Sequence, residues 1–195
     1  MRWSADRLAA AVGGRLLGSS EVPTRLLGVS TDSRRVTPGQ AFFAIAGQRF
    51  DGHDHWQQAV RAGAALLVHS HLPHDLPQQD PPVPLVRVDD TRRALGALAR
   101  AWRAEVNPRV VAITGSMGKT TTKELVSAIL EQAGSTHRTA GNLNNDIGLP
   151  LTLLSMPATA RYLVAEMGMN APGEIAYLTG LADPDVGVVT NIAPV

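Results

Sequence analysis

The chain has 195 residues, 44% of them apolar and 18% charged, with a formal net charge of +1. That is ordinary globular composition, long enough for one domain or two small ones, and the near-neutral balance gives no support for a general nucleic-acid or membrane-surface role. Cysteine is absent, which excludes disulfides and thiolate metal sites and suits a reducing compartment.

The first stretch, MRWSADRLAAAVGG, spreads its charges and has no continuous apolar core, so it reads as a helix starting after Ser4 and not as a signal peptide. No segment approaches the ~20 apolar residues needed to cross a bilayer. The default is a soluble cytoplasmic protein. AFFAIAG (41–47) and AALLVHS (64–70) read as buried strands, and HDHWQQAVRAG (53–63) between them as a helix stopped by Gly63. LPHDLPQQDPPVPL (72–85) carries five prolines and reads as a surface loop. VPLVRVDD (83–90) is a strand, followed by an amphipathic helix over 91–106 capped at Asp90 or Thr91. His53 and His55 could in principle hold a metal, but capping and loop hydrogen bonds are the favoured reading.

EVNPR (105–109) is a hinge, after which strand (109–113), tight turn, helix (118–133), strand (161–168), helix after Pro172 and strand (185–192) follow. This alternation predicts right-handed crossovers and a parallel sheet of three strands. The fold class is therefore α/β, with a first domain over 1–106 and a second, incomplete one over 107–195. A doubly wound sheet normally has more strands, so a truncated chain is expected.

The turn ITGSMGKTT joins the first of these strands to its helix. Its glycines let backbone amides curve around an anion, and the helix N-terminus adds free N–H groups and partial positive charge. Lys119 would reach phosphate oxygens and the Thr120 hydroxyl would ligate Mg²⁺. The common phosphate loop has a glycine where Ile113 stands; here the first is Gly115, so the loop is a shortened variant. A glycine-rich turn with an incidental lysine is the plainer alternative, disfavoured by the strand–turn–helix context. STDSRR (30–35) offers hydroxyls, a carboxylate and arginines suited to a uracil edge or a diphosphate, though alone it reads as a surface turn. GNLNND (141–146) could bind amides and sugar hydroxyls or be an Asx-rich loop. Glu166 ends a predicted strand and could hold Mg²⁺ or serve a helix cap.

TGSMGKTTTKE resembles the ATP loop of the Mur ligases, which join amino acids to a UDP-linked muramoyl precursor of the bacterial cell wall. AGNLNNDIGLPLTLL (140–154) and EMGMNAPGEI (166–175) resemble the family member that adds the terminal dipeptide. VSTDSRRVTPGQAFFAIAGQRFDGHDH (29–55) resembles the family's N-terminal UDP-sugar-binding domain. The resemblance implies an ATP-dependent carbon–nitrogen ligase with ATP and Mg²⁺, and a P-loop ATPase domain after the small UDP-sugar domain. UDP-N-acetylmuramoyl-tripeptide and D-alanyl-D-alanine are the implied substrates, with no nucleic-acid or membrane partner and a monomeric state. It implies Lys119 and Asn144 as catalytic. Thr114, Gly115, Ser116, Met117, Gly118, Lys119, Thr120, Thr121 and Asn191 would bind ATP. Ser30, Asp32, Ser33, Arg34, Gly47, Asn142 and Asn145 would bind the UDP-sugar precursor, and Thr120 and Glu166 the metal. It also implies a histidine beyond the third strand, a carbamoylated lysine and a dipeptide-binding domain, none present in this sequence, so the chain alone is expected to be an inactive fragment. The competing readings are the ligase that adds the third residue, which would lack the 141–148 and 166–175 motifs, a folate-polyglutamate ligase, which would lack the UDP-sugar domain, and a non-catalytic nucleotide- or UDP-sugar-binding module.

Overall fold

The computed structural model of the chain describes residues 3–17, 25–47, 50–73, 75–77 and 81–193. It divides into two compact units, Met1–Leu98 and Ala99–Val195.

In the first unit Ser4 caps helix α1 (Ala5–Ala11), its hydroxyl accepting from the Arg7 N–H at 3.2 Å. Five strands follow: β1 (Arg15–Leu17), β2 (Gly28–Ser30), β3 (Gln40–Phe43), β4 (Leu66–His69) and β5 (Leu85–Arg87). Their sheet order is β1-β5-β4-β3-β2, with β1 antiparallel to β5 and the other pairs parallel. Parallel neighbours need a crossover, and α2 (Trp56–Arg61), entered through a 3-10 turn at Gly52–His55, supplies the one from β3 to β4. Phe42, Leu67 and Leu85 stand opposite one another across three strands and are buried with Ala59 of α2. Truncating Leu67 to alanine there should cost about 2–5 kcal/mol.

Two expectations change. β1 and β2 are three residues each, too short for any periodicity to announce them. The run 41–47 is strand only to Phe43, because Ala46 pairs with Asp51 and the Gly47 N–H donates to the Phe50 carbonyl at 2.8 Å, reversing the chain. Gln48 and Arg49 of that reversal, and residues 74 and 78–80 of the proline-rich loop, lie outside the described residues. Within that loop Leu76 is buried in the core cluster and Leu72 and Val83 pack against it, so apolar side chains of a surface segment anchor it.

Helix α3 (Thr91–Val106) begins in the first unit and continues into the second; Asp90 caps it, its Oδ1 accepting from the Arg92 and Arg93 N–H groups at 2.8 and 3.0 Å. The second unit contains β6 (Arg109–Thr114), α4 (Lys119–Glu131), β7 (Thr136–Arg138), α5 (Gly148–Ser155), β8 (Tyr162–Glu166), α6 (Glu174–Ala182) and β9 (Val186–Val189). Its sheet is entirely parallel, in the order β7-β8-β6-β9. The sequence predicted three strands; the fourth, β7, is the polar tripeptide Thr-His-Arg, which carries no strand pattern. The order reverses about β6, so the crevice at the C-terminal ends of β8, β6 and β9 is where an open α/β sheet binds ligands.

The end of α3 ties the C-terminal ends of α5 and α6. Trp102 donates from its indole to the Met156 carbonyl at 3.0 Å. The buried Arg103 donates to the Ala182 and Asp183 carbonyls at 2.8 and 2.7 Å, satisfying acceptors that the end of α6 leaves open. Among the described residues no helix is long and apolar enough to cross a membrane.

Candidate nucleotide and metal site

The turn between β6 and α4 is held in a conformation that glycine permits. Gly115 has φ +135°, and a Cβ there would fall 2.2 Å from the Thr190 hydroxyl and 2.9 Å from the Asn191 carbonyl. Gly118, at φ +81°, is the N-cap of α4, and no side chain caps that helix. Its first-turn N–H groups are therefore the kind that take a phosphate. Lys119 folds back along the loop, its ammonium donating to the Gly115 carbonyl at 2.6 Å and to that of Ser116 at 3.4 Å.

The segment after β9 braces this loop. The Asn191 carbonyl accepts from the Ser116 N–H at 3.1 Å, and its side-chain oxygen accepts from the Met117 N–H at 2.8 Å. Thr190 donates to the Met117 carbonyl at 2.5 Å and contacts that of Thr114 at 3.2 Å. Asn191, singled out in the sequence as a nucleotide contact, also borders the cavity, but its side-chain oxygen is spent on the loop. The bracing role of Thr190 was missed; its only sequence signal is a hydroxyl at a strand end beside Asn191.

Beneath the loop, Thr120 donates to Glu166 Oε2 at 3.0 Å. The Asn144 amide donates to Glu166 Oε1 at 2.9 Å. Thr139, buried, accepts the Glu166 N–H at 3.0 Å and so fixes the end of β8. Lys123, 1% exposed, places its ammonium 3.8 Å from Glu166 Oε2 and 3.1 Å from Glu124 Oε1. Lys123 and Thr139 escaped the sequence reading; Lys123 lies one helical turn after Lys119, the spacing that puts both on one face. A hydroxyl and a carboxylate oxygen side by side at a phosphate loop are the hard oxygen donors Mg²⁺ takes, with its other positions left for phosphate and water. The residues present fit such an ion.

A cavity of about 600 Å³ lies beside this cluster, bordered by Thr114, Gly115, Ser116, Lys119, Asn144, Asn145 and Asn191 and floored on one side by Met169, Ile175 and Val189; Asn144 joins it to the cluster, and Thr120 and Glu166 do not border it. Of the asparagine motif, Asn144 and Asn145 border it and Asn142 does not; Asn145 also holds the entry to α5, its Oδ1 accepting from the Ile147 and Gly148 N–H groups at 3.2 and 2.8 Å. Thr121 lies on an exposed face of α4 and Met117 is exposed at the loop tip.

The first unit has its own cavity, about 370 Å³, bordered by Thr31, Asp32, Ser33, Arg34, Phe50, His55 and Gln58. Asp32 grips Arg34 through both carboxylate oxygens at 2.9 Å, and these hydrogen bonds hold its carboxyl at about 2. Ser33 is buried and donates to Gln58 Oε1 at 2.7 Å, while the Ser30 hydroxyl bonds both the N–H and carbonyl of Asp32. Gly47 does not border the cavity; it turns the loop that brings Phe50 to it.

His53 and His55 do not converge: His55 borders the cavity, whereas His53 is buried against Asp51 and His71. His53 Nε2 accepts from the Ser70 N–H at 3.1 Å, which places the ring proton on Nδ1, 2.5 Å from Asp51. With both nitrogens occupied, this ring serves as a loop tie, not a metal ligand.

A phosphate-type loop on a parallel sheet, with oxygen donors at neighbouring strand ends, defines a nucleotide-binding α/β protein. The family models "Mur ligase middle domain" and "Mur ligase family, catalytic domain" match residues 113–195 and 25–103, together most of the sequence. The chain belongs to the Mur ligase family. It is 47% identical over 189 residues, 96% of the chain, to the UDP-N-acetylmuramoyl-tripeptide–D-alanyl-D-alanine ligase of Escherichia coli (strain K12), and 43% identical over 185 residues, 95% of the chain, to that of Bacillus subtilis (strain 168). It spans 40% of the length of each of these curated relatives. Among solved structures it superposes on the UDP-N-acetylmuramoylalanyl-D-glutamyl-2,6-diaminopimelate–D-alanyl-D-alanyl ligase of Acinetobacter baumannii with a TM-score of 0.90 at 37% identity, covering 100% of this chain and 43% of that one. It also matches the MurF ligase of Thermotoga maritima in complex with ADP, with a TM-score of 0.75 at 35% identity over 89% of this chain and 39% of that one. A UDP-N-acetylmuramoyl-L-alanyl-D-glutamate–2,6-diaminopimelate ligase matches at 18% identity with a TM-score of 0.61, which speaks for the fold alone.

Proposed function

We propose that the second unit binds ATP with Mg²⁺ and the first unit the UDP end of a muramoyl precursor. The whole protein, on this reading, joins D-alanyl-D-alanine to UDP-N-acetylmuramoyl-tripeptide in cell-wall precursor synthesis. The observation that carries it is the convergence of Lys119, Thr120, Asn144 and Glu166 at the ends of β6 and β8. Curated relatives named for that ligation and an ADP-bound neighbour support it.

The chemistry is phosphoryl transfer followed by amide formation. A carboxylate oxygen of the precursor attacks the γ-phosphorus, the bond to the bridging oxygen breaks, and ADP departs. The amine of the dipeptide then attacks the acyl carbon, phosphate leaves, and the nitrogen gives up its proton. Two anions must meet at ~3–3.5 Å, so the protein's task is positioning and charge neutralisation. The loop amides and Lys119 take the phosphates once the ammonium leaves its carbonyl partners. Thr120 and Glu166 would hold Mg²⁺, which screens the phosphate charge when bound. Asn144, tied to Glu166 and facing the cavity, is placed to orient the attacking carboxylate. A soluble protein in the cytoplasm, monomeric, is the expected setting.

Calorimetric titration with Mg·ATP and, separately, with UDP tests the two sites. Saturable Mg·ATP binding that Lys119→Ala abolishes, with UDP binding kept, supports the assignment. Unchanged nucleotide affinity in Lys119→Ala would reduce the loop to a scaffold.

A further inference from the structure

Lys123 is a buried ammonium that the phosphoryl-transfer scheme does not use. It is 1% exposed, and Glu166 beside it is 3% exposed. A buried lysine needs a partner, and an ion pair at this depth is a poor source of stability compared with an apolar side chain of the same length. The charges around it are unevenly shared. Glu124, 3.1 Å away, is half exposed and also engages Arg138 at 3.2 Å, and Arg138 pairs in turn with Glu131. Glu166, at the end of β8, points Oε2 at both Lys123 and Thr120.

We propose that Lys123 is the standing counter-charge of Glu166, making divalent-cation binding at Thr120 and Glu166 conditional on the phosphates of a nucleotide. This rests on the metal reading given above. With Lys119 and Lys123 both cationic and Glu166 the carboxylate that meets Thr120 among the described residues, the empty site carries no net negative charge. A bare divalent ion therefore gains little by entering it. A triphosphate reverses the balance, so the ion is taken up with its nucleotide. The carboxylate meanwhile stays aimed, held by Thr120, Asn144 and Lys123 from different sides. If Lys123 only stapled α4 to β8, its removal would change stability and leave ion binding alone.

The test uses the full chain and Mn²⁺, with the protein-held ion measured by equilibrium dialysis against a protein-free control, because ATP in solution binds Mn²⁺ too. Wild type should bind Mn²⁺ weakly by itself and readily with ATP. Lys123→Met, of matched length without charge, should bind Mn²⁺ alone about tenfold or more tightly than wild type, while Lys123→Arg behaves as wild type. Glu124→Gln, at an exposed position, removes the competing anion and should weaken Mn²⁺ uptake with ATP by roughly two- to fivefold. Equal affinity of wild type and Lys123→Met for Mn²⁺ alone overturns the proposal even where Mn²⁺ with ATP binds normally. No Mn²⁺ uptake by wild type in the presence of ATP overturns the metal reading, and this inference with it. If circular dichroism shows Lys123→Met unfolded, Glu124→Gln decides, and an unchanged affinity there overturns the proposal.

Discussion

Thr120 and Glu166 are 46 residues apart in sequence, yet the hydroxyl of one donates to the carboxylate of the other at 3.0 Å. The parallel pairing of β6 with β8 sets Ile113 opposite Glu166, so the carboxylate arrives at the level where the loop begins. One residue of slip would turn Glu166 to the other face of the sheet.

Replacing that hydroxyl tests the pair. Thr120→Val keeps the shape and removes the donor. ATP affinity should then lose its Mg²⁺ dependence, falling about tenfold in Mg²⁺ and staying within about twofold in a chelator, as titration calorimetry would read. A variant that still gains affinity on adding Mg²⁺ would place the metal elsewhere.

The loop's first glycine is tested by Gly115→Ala. The added methyl would overlap the Thr190 hydroxyl, and the φ of +135° disfavours any side chain, a strain of about 1–3 kcal/mol. ATP affinity should drop at least tenfold, with little change in far-ultraviolet circular dichroism. Retained affinity would show that the loop tolerates a displaced Thr190.

In the first unit Arg34 and Arg35 give a matched comparison. Both are largely exposed, at 77% and 86%, but Arg34 makes the two-pronged contact with Asp32 at 2.9 Å and borders the cavity, whereas Arg35 stands 3.9 Å from the same carboxylate and does not border it. Arg34→Ala should weaken UDP binding by about tenfold and Arg35→Ala by less than about twofold. Equal effects of the two would remove the turn from the binding site.

His69 sets an acid sensitivity. Its ring lies buried on β4 with neither nitrogen hydrogen-bonded among the described residues. Burial, helped by repulsion from His53 and Arg87 and opposed by the His71 backbone, depresses it from 6.5 to about 4. The unfolded chain therefore binds the proton first. Stability from this group is complete above about 6.5 and is lost as pH falls toward about 4, a matter of about 2–3 kcal/mol. His69→Leu should remove that loss, so its urea midpoint falls less than the wild-type midpoint between pH 7 and pH 5. Parallel curves for the two proteins would show that the ring finds a partner.

Much of this protein is written locally. The helix caps at Ser4 and Asp90, the crossover helix before Gly63 and the Gly-Lys-Thr turn follow from short-range spacing, because backbone geometry and capping involve residues a few positions apart. The class of chemistry was legible for the same reason: the amides, the lysine and the hydroxyl of a phosphate loop are consecutive.

What the sequence could not reveal was which distant side chains would meet. The three-residue strands β1, β2 and β7 have no pattern of their own and exist only because neighbours pair with them. Asn191 became the brace of the loop, and Lys123 a buried cation beside Glu166, through the sheet order β7-β8-β6-β9 and the seating of α4 on β8. Chain spacing fixes the groups a loop can offer; strand register and helix packing decide which charges face one another, and that juxtaposition sets what the site can bind.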